Sequence, residues 1–284
     1  MIGELYEHAL AGWMRPEVER TDGSRMPLPV EGWLHESPGD KSLLDRCLGP
    51  TLDIGSGPGR LTVALAERGI PALGIDITPY AVDLARSSGA MVMLRDVFGR
   101  VPGTGRWMTV LLADGNIGIG GDPAALLRRA GELLAPEGCA LVELEPPGSP
   151  LRREEVRLCY AGLASAWFPW AFVGTDQIED VARDAGFGEV ETWTVEGRWF
   201  ASISCCRVVS EPAGALPEPC EVLCEALAED LSEDLPSPED SPEAADSPED
   251  LPEDLPEDLP EDLPEAAEPQ VLALLRNAYS QARG

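Results

Sequence analysis

The chain has 284 residues, 44% of them hydrophobic, which is enough for one globular domain with a sizeable core and extensions. Its formal net charge is −30, which argues against a nucleic-acid partner, because affinity for nucleic acids rests on basic residues that displace counterions. Its apolar runs stay short of the roughly 18 residues that a membrane helix needs. The acidic N-terminal segment also differs from a signal peptide, so we expect a cytoplasmic protein without a membrane partner.

Seven cysteines are scattered along the chain, and most lie inside apolar segments. Their spacing does not form the paired ligand pattern of a metal site, and Cys220 and Cys224 have no histidine nearby. The sequence therefore predicts reduced, buried thiols and no bound metal.

The first half of the chain predicts alternating strands and helices. Residues 1–40, rich in Pro, Gly and Trp, predict irregular structure, followed by a helix near 40–48 capped by Ser37 or Asp40. Apolar runs then predict buried strands at 51–54, 71–75, 90–94, 107–113 and 139–144. Helical patterns separate them at 59–68, 79–88 and 122–135. Short apolar strands with intervening helices are typical of a parallel sheet covered on both faces.

The pattern changes after Pro150. Residues 151–174 predict an exposed hairpin or an insertion, and Thr175 then caps a helix. Two further strands surround the turn at Glu196 and Gly197, and they complete the sheet with an antiparallel strand.

The C-terminal quarter of the chain has a different composition. Residues 211–269 hold 22 acidic residues and no Lys or Arg, whereas residues 1–210 hold 29 acids and 19 bases. Its four-residue repeat LPED places proline in every helical turn, so residues 210–269 predict a disordered acidic tail. Residues 270–284 predict a short amphipathic helix. The composition favours a solubilising role for the tail, and recruitment of a protein partner by the tail or this helix is the alternative.

Residues 52–59 read LDIGSGPG and place three glycines where the first strand turns into the first helix. Gly55, Gly57 and Gly59 leave the backbone bare, and the helix N-terminus adds free N–H donors. A small, partly anionic ligand is the favoured interpretation, and a tight turn without a ligand is the alternative. The dinucleotide fingerprint G-x-G-x-x-G fits less well, because its third glycine would fall on Arg60.

Two carboxylates follow at strand ends. The second strand ends on Asp76, which can accept hydrogen bonds from both ribose hydroxyls or can cap the next helix. The third strand ends on Asp96, which can accept from the amino group of an adenine while the backbone of Val97 contacts the ring. A solvated loop is the alternative for Asp96.

Five segments together resemble the class I S-adenosylmethionine-dependent methyltransferase family: LDIGSGPG, GID, LRD, TVLLADGNIGIG and LLAPEGCALVELEPPG. The resemblance covers roughly residues 41–208. It implies a Rossmann-like α/β fold, with a seven-stranded, mostly parallel sheet, helices on both faces and an antiparallel last strand. It implies S-adenosylmethionine bound by residues 41–209 at the carboxyl ends of the strands. The cofactor-binding residues that it implies are Asp53, Gly55, Ser56, Gly57, Gly59, Asp76, Ile77, Asp96, Val97, Ala113 and Asp114.

Two departures narrow the class of acceptor. The fourth strand ends in Asp114-Gly115-Asn116-Ile117, not in the Asn/Asp-Pro-Pro-aromatic signature of enzymes that methylate amino groups of adenine or glutamine. The core carries no Pro-Cys pair, so methylation of cytosine C5 is not implied either. We expect a small-molecule acceptor methylated at O, N or C, as in bacterial secondary metabolism.

Candidates for a proton acceptor are few. His35, Asp114 and Asn116 are weak candidates, since a sulfonium is already an activated electrophile and no dedicated base is obligatory. The resemblance implies that residues 1–40 fold over the cofactor as a lid. Tyr6 and Trp33 can form this lid or can pack in the core. The aromatic residues of the insertion can line an acceptor pocket or clamp the sheet edge: Trp167, Phe168, Trp170 and Phe172.

Two other functions remain as hypotheses. A scaffold that binds the cofactor without catalysis would explain the long acidic tail, whose length exceeds any catalytic need. An NAD-dependent oxidoreductase is disfavoured by Arg60.

Overall fold

A computed structural model describes residues 3–204 of the chain. The helices, in chain order, are α1 (Gly3–Leu10), α2 (Val30–Leu34), α3 (Asp40–Leu44), α4 (Arg60–Glu67), α5 (Pro79–Ser87), α6 (Pro123–Leu133) and α7 (Ile178–Asp184). The strands are β1 (Glu17–Arg20), β2 (Arg25–Pro27), β3 (Thr51–Ile54), β4 (Ala72–Asp76), β5 (Val92–Leu94), β6 (Trp107–Leu112), β7 (Leu134–Leu144), β8 (Arg152–Tyr160), β9 (Leu163–Ala164), β10 (Phe168–Phe172), β11 (Glu189–Val195) and β12 (Arg198–Ser204). The predicted acidic tail and C-terminal helix lie outside the described residues.

The larger sheet has seven strands in the order β11-β12-β7-β6-β3-β4-β5. Strands β3 to β7 run parallel to one another, and β12 pairs antiparallel with β7. The predicted mostly parallel sheet with a reversed last strand is therefore confirmed. Strand β3 is buried on both faces, as its unbroken apolar run predicts.

Two hydrophobic clusters cover the two faces of this sheet. Along β6, Val110 and Leu112 belong to one cluster, together with residues of α6 and α7. Leu111, between them, belongs to the other cluster, with residues of α3 and α4. Since successive side chains of a strand point to opposite faces, the helices lie on both sides of the sheet.

A second, antiparallel sheet has the order β10-β8-β1-β2, and β9 pairs with β8. It corrects the expectation that residues 1–40 are irregular, because β1 is an interior strand between β8 and β2. Sequence patterns miss β1 because it is four residues long and three of them are charged. The buried side chain of Glu19 is held by Arg157, which lies 138 residues away.

The two sheets join beside the last residue of β7. The N–H of Glu145 donates to the carbonyl of Val173, and the N–H of Thr175 donates back to the carbonyl of Glu145. Both distances, 2.9 and 3.1 Å, are those of ordinary backbone hydrogen bonds. The loop after β10 is thereby fastened to the carboxyl end of the parallel sheet.

Within residues 3–204, no helix combines the length and the apolar character needed to cross a bilayer.

The described cysteines are free thiols, and burial raises the pKa of Cys47 to about 12. That thiol is therefore protonated at neutral pH.

Candidate functional site

The glycine loop after β3 adopts backbone angles that favour glycine. Gly55 and Gly57 have φ values of 71° and 52°. A Cβ atom at Gly55 would lie 2.7 Å from Nδ2 of Asn116, and one at Gly57 would lie 3.3 Å from the hydroxyl of Tyr6. The loop therefore passes closely beneath two other polar side chains, and a larger residue at Gly55 would displace one of them.

Gly59 has a different environment. It precedes α4 with a φ of 86°, and a Cβ atom there would lie 2.8 Å from the Cβ of Ala85 on α5. It does not line the cleft into which the rest of the loop opens. The lack of a side chain at Gly59 lets α4 and α5 approach each other closely, independently of any ligand that the loop binds.

A cleft of about 780 Å³ opens along the carboxyl ends of the parallel strands. It lies within the range of roughly 300–1,000 Å³ that is typical of small-molecule sites. Ten of the eleven predicted cofactor-binding residues line it, together with Asn116: Asp53, Gly55, Ser56, Gly57, Asp76, Ile77, Asp96, Val97, Ala113 and Asp114. The structure thus brings together side chains from the ends of four strands.

Asp76 connects its strand to the glycine loop. Its Oδ2 accepts a hydrogen bond from the N–H of Gly57 at 2.9 Å, and its Oδ1 accepts from the N–H of Thr78 at 2.8 Å. Burial raises the pKa of Asp76, and the two backbone donors oppose that rise. Each carboxylate oxygen keeps a second lone pair, so Asp76 can still accept from a ligand.

Asp53 and Asp96 flank this centre. The carboxylate of Asp53 accepts from the hydroxyl of Thr62 at 2.8 Å, and burial raises its pKa to about 6. Asp96 accepts from the N–H of Phe98 at 2.9 Å, which fixes the loop after β5. Asp53 therefore connects the end of β3 to α4, and both carboxylates line the cleft.

A cluster of charged side chains, which we call the ionic cluster, borders the loop: Asp40, Arg60, Asp114, Glu143 and Arg198. Arg60 binds both Asp40 and Asp114, the latter at 2.6 Å. Arg198 contacts both oxygens of Glu143 at 2.7 and 2.8 Å and binds Asp40 at 2.6 Å. Two arginines thus hold three carboxylates at the ends of β6 and β7.

Asp114 occupies an unusual backbone conformation within this cluster. Its φ is 54°, a region that residues other than glycine rarely adopt. Its N–H donates to Glu143 at 2.7 Å, and its carboxylate faces Arg60. Burial raises the pKa of Asp114, and the positive charge of Arg60 opposes that rise. Both ends of the residue are therefore held by charged partners.

Sequence patterns give no signal for several of these residues. Glu143, Glu145 and Arg198 lie in or beside strands and match no motif, and Asp40 is predicted only as a helix cap. Their relation depends on contacts across as many as 158 residues. Only their charge could have indicated a role, since charged residues inside a sheet need partners of opposite charge.

Residues of the N-terminal segment contribute to the cleft. Tyr6 and Trp33 both line it, and their rings meet edge to face with centroids 5.9 Å apart. Burial raises the pKa of Tyr6, and the charges of Asp76 and Asp114 raise it further. The phenol is therefore neutral at physiological pH.

The histidines lie elsewhere. Nδ1 of His35 is 3.3 Å from the carbonyl of Glu31 at an exposed position, and the His8 ring packs against Trp13. Neither histidine lines the cleft. Asn116 does, but its amide donates to the carbonyls of Ile54 and Gly55 at 2.9 and 3.0 Å.

The insertion also reaches the site. Phe168, Trp170 and Phe172 of β10 line the cleft, whereas Trp167 is 41% exposed and packs under the guanidinium of Arg157. The aromatic residues of the insertion thus divide into a cleft-lining group and a surface residue.

Within residues 3–204, no group of three His, Cys, Asp or Glu side chains is arranged to hold a metal ion.

Two comparisons with known sequences match part of this chain. A family model described as a methyltransferase domain matches residues 52–142. An ATP synthase lysine N-methyltransferase of Rattus norvegicus is 43% identical over 44 residues. That segment covers 16% of this chain and 20% of the rat protein, so the chain matches about a fifth of this relative's length.

One solved structure shares the fold, and a second aligns less closely. A SAM-dependent methyltransferase from Bacteroides fragilis, in complex with S-adenosyl-L-homocysteine, aligns with a TM-score of 0.61 and 22% identity. The alignment covers 72% of this chain and 93% of the bacterial one. The CcbJ methyltransferase from Streptomyces caelestis aligns with a TM-score of 0.46 and 19% identity, over 61% of this chain and 91% of that one.

Proposed function

We propose that the chain transfers a methyl group from S-adenosylmethionine to a small-molecule acceptor at O, N or C, because residues 52–142 match a family model described as a methyltransferase domain. The observation that carries this proposal is the position of Asp76. Its buried carboxylate is hydrogen-bonded to the glycine loop and still lines the cleft. A sugar hydroxyl beside it would gain a charge-assisted hydrogen bond.

The other predicted residues fit the remaining parts of the cofactor. Gly55, Ser56 and Gly57 would lie against its methionine portion, with Asp53 beneath them. Ala113 and Asp114 would face its amino group. The adenine would lie among Ile77, Asp96 and Val97, where the carboxylate of Asp96 can accept from the ring's amino group.

The charges in the cleft also fit this cofactor. S-adenosylmethionine carries a sulfonium, an ammonium and one carboxylate, and is therefore a monocation. The charged residues that line the cleft are six acids and two arginines: Asp53, Asp76, Asp96, Asp114, Glu143, Glu145, Arg60 and Arg95. An excess of negative charge favours binding of a positively charged ligand.

When bound, the cofactor supplies a methyl group on a sulfonium, which breaks its S–C bond as the acceptor forms a new bond to carbon. We expect in-line displacement. This chain contributes position and the exclusion of water, because Tyr6 lies over the glycine loop at Gly57 and Trp33 packs against Tyr6 in the lining of the cleft. Asn116 holds the loop through its amide. Of the predicted proton acceptors, Asp114 and Asn116 line the cleft and His35 does not.

Calorimetry on the full chain separates this function from an NAD-dependent oxidoreductase. We expect S-adenosylmethionine and S-adenosylhomocysteine to bind and NAD to show no heat of binding. Binding of NAD alone would overturn the proposal. Binding of S-adenosylmethionine without methyl transfer to any compound of a broad acceptor panel would instead support the scaffold hypothesis.

The variant Asp76→Asn tests the carrying observation. It should weaken S-adenosylmethionine binding by about 1–3 kcal/mol, because a hydrogen bond to a charged acceptor is replaced by one to a neutral acceptor. The matched control is Asp83→Asn, at an exposed position of α5. Equal affinities for both variants would show that Asp76 does not contact the cofactor.

A further inference from the structure

One face of the second sheet lines the same cleft as the glycine loop. In the register of the strands, Met26, Val18 and Leu158 form a row across β2, β1 and β8. Val156 and Phe168 pair in the next row, and Trp170 follows Phe168 on the same face. All six side chains line the cleft, and we call them the apolar wall.

The apolar wall presents no charge to the cleft. Every residue of β1, β2, β8 and β10 that lines the cleft is uncharged. The nearby Arg20 and Arg152 instead pair with Glu154, at 3.3 and 3.1 Å. Their guanidinium carbons both lie 4.9 Å from the ring centroid of Phe172. Arg152 also lies 3.6 Å from Glu145, which lines the cleft, but neither arginine lines it.

The opposite side of the cleft has the reverse character. Each charged residue that lines it belongs to a strand or helix of the parallel sheet, or to a loop directly after one of those strands. The cleft therefore has a charged side, which suits the cofactor, and an apolar side for a second molecule. A charged group placed against the apolar wall would lose its hydration without gaining a partner.

The aromatic side chains of the apolar wall favour a planar ring. Phe168 and Trp170 lie with centroids 6.3 Å apart and planes at 89° to each other. A flat ligand can stack on one of these rings and present its edge to the other, and both arrangements are favourable for aromatic pairs. An aliphatic ring of the same size would fill the space without these contacts.

We propose that the methyl acceptor is an uncharged aromatic compound bound against the apolar wall of the second sheet. This inference rests on the proposed methyl transfer and names the chemical class of its acceptor. Glu145, at the junction of the two sheets, lines the cleft between the charged and apolar sides.

The test uses the full chain saturated with S-adenosylhomocysteine and three probes of similar size: 2-naphthol, 2-naphthoate and 2-decalol. Ligand-detected NMR and calorimetry measure their affinities. We expect 2-naphthol to bind at least about tenfold more tightly than 2-naphthoate, because the carboxylate would be desolvated. We expect a preference of about two- to tenfold over 2-decalol from the aromatic contacts.

Variants of the tryptophans locate the binding surface. Trp170→Leu should reduce the preference for 2-naphthol over 2-decalol, and Trp170→Phe should retain most of it. The control is Trp167→Leu, at the exposed tryptophan that does not line the cleft. Affinity for S-adenosylhomocysteine should be unchanged in all three variants.

The outcomes separate the two levels of inference. Failure of the full chain to bind either adenosyl compound would overturn the proposed function. Normal cofactor binding with a preference for 2-naphthoate, equal affinities for the three probes, or no measurable binding of 2-naphthol would overturn the acceptor assignment alone. An equal effect of Trp167→Leu and Trp170→Leu would overturn it as well.

Discussion

The two sheets line one cleft, yet they are assembled in different ways. The parallel sheet takes five of its strands from one continuous stretch, residues 51–144, and its site side chains are charged and tied to backbone N–H groups. The second sheet joins β1 and β2 to strands more than a hundred residues later, and its cleft face is apolar. One half of the site therefore depends on electrostatics and backbone geometry, and the other half depends on packing.

The variant with the largest expected effect removes the positive charge of Arg198 from the ionic cluster. Arg198→Met should lower the free energy of unfolding by about 3–5 kcal/mol, because it removes the arginine that binds Glu143 and one of the two arginines that bind the buried carboxylate of Asp40. Urea unfolding followed by tryptophan fluorescence measures the change.

Arg183→Met is the control for that experiment. Arg183 pairs with Asp180 on the surface of α7, where both side chains are mostly exposed. Loss of this ion pair should lower the free energy of unfolding by less than about 1 kcal/mol. If the two variants lost equal stability, the ionic cluster would not be a special support of the site.

A second test acts on packing at the acceptor side. A Cβ atom at Gly118 would lie 2.5 Å from Nε1 of Trp170, so Gly118→Ala must displace β10. Overpacking of this kind should lower the free energy of unfolding by about 1–3 kcal/mol. Calorimetry should show weaker binding of 2-naphthol with nearly unchanged binding of S-adenosylhomocysteine.

The control for this variant is Gly32→Ala on α2, where an added Cβ atom meets nothing within 4 Å. It should leave both affinities unchanged. Equal loss of cofactor and probe binding in Gly118→Ala would show that the two sides of the cleft do not respond separately.

The smallest effect concerns Asp53 and pH. Its folded pKa of about 6 lies above the ordinary value of a carboxyl group, so folding favours the protonated form. The stability that it contributes is complete below the unfolded pKa and is lost as pH rises through about 6. Between pH 5 and 7, the wild type should lose about 1 kcal/mol relative to Asp53→Asn.

Urea titrations of both proteins at several pH values measure this difference. Asparagine keeps an oxygen that can accept from Thr62, so the variant should fold. A difference in stability that stays constant with pH would mean that Asp53 does not titrate in this range.

The parallel sheet was predictable because its requirements are local. Gly55 and Gly57 have positive φ values, and a strand followed by such glycines and a helix leaves a visible pattern. Asp76 and Asp96 are recognisable because they end apolar runs. The structure places both in the cleft with these glycines.

The second sheet was not predictable because its requirements are distant. Strand β1 reads EVER, and its charges make sense only beside Arg157 and Arg25. Val18 alone does not indicate an apolar wall, which arises when β2, β1 and β8 come into register. For the same reason, no pattern around Arg198 predicts that it binds Asp40 and Glu143.

The backbone bonds between Glu145 and the loop after β10 have a consequence for how the acceptor range of such a site can change. Because these bonds involve only main-chain atoms, side chains of the second sheet can be replaced while the spacing between the two sheets stays the same. Under the proposed function, new acceptors can therefore be accommodated by substitutions on one face of the second sheet, and the main-chain connection to the parallel sheet stays unchanged.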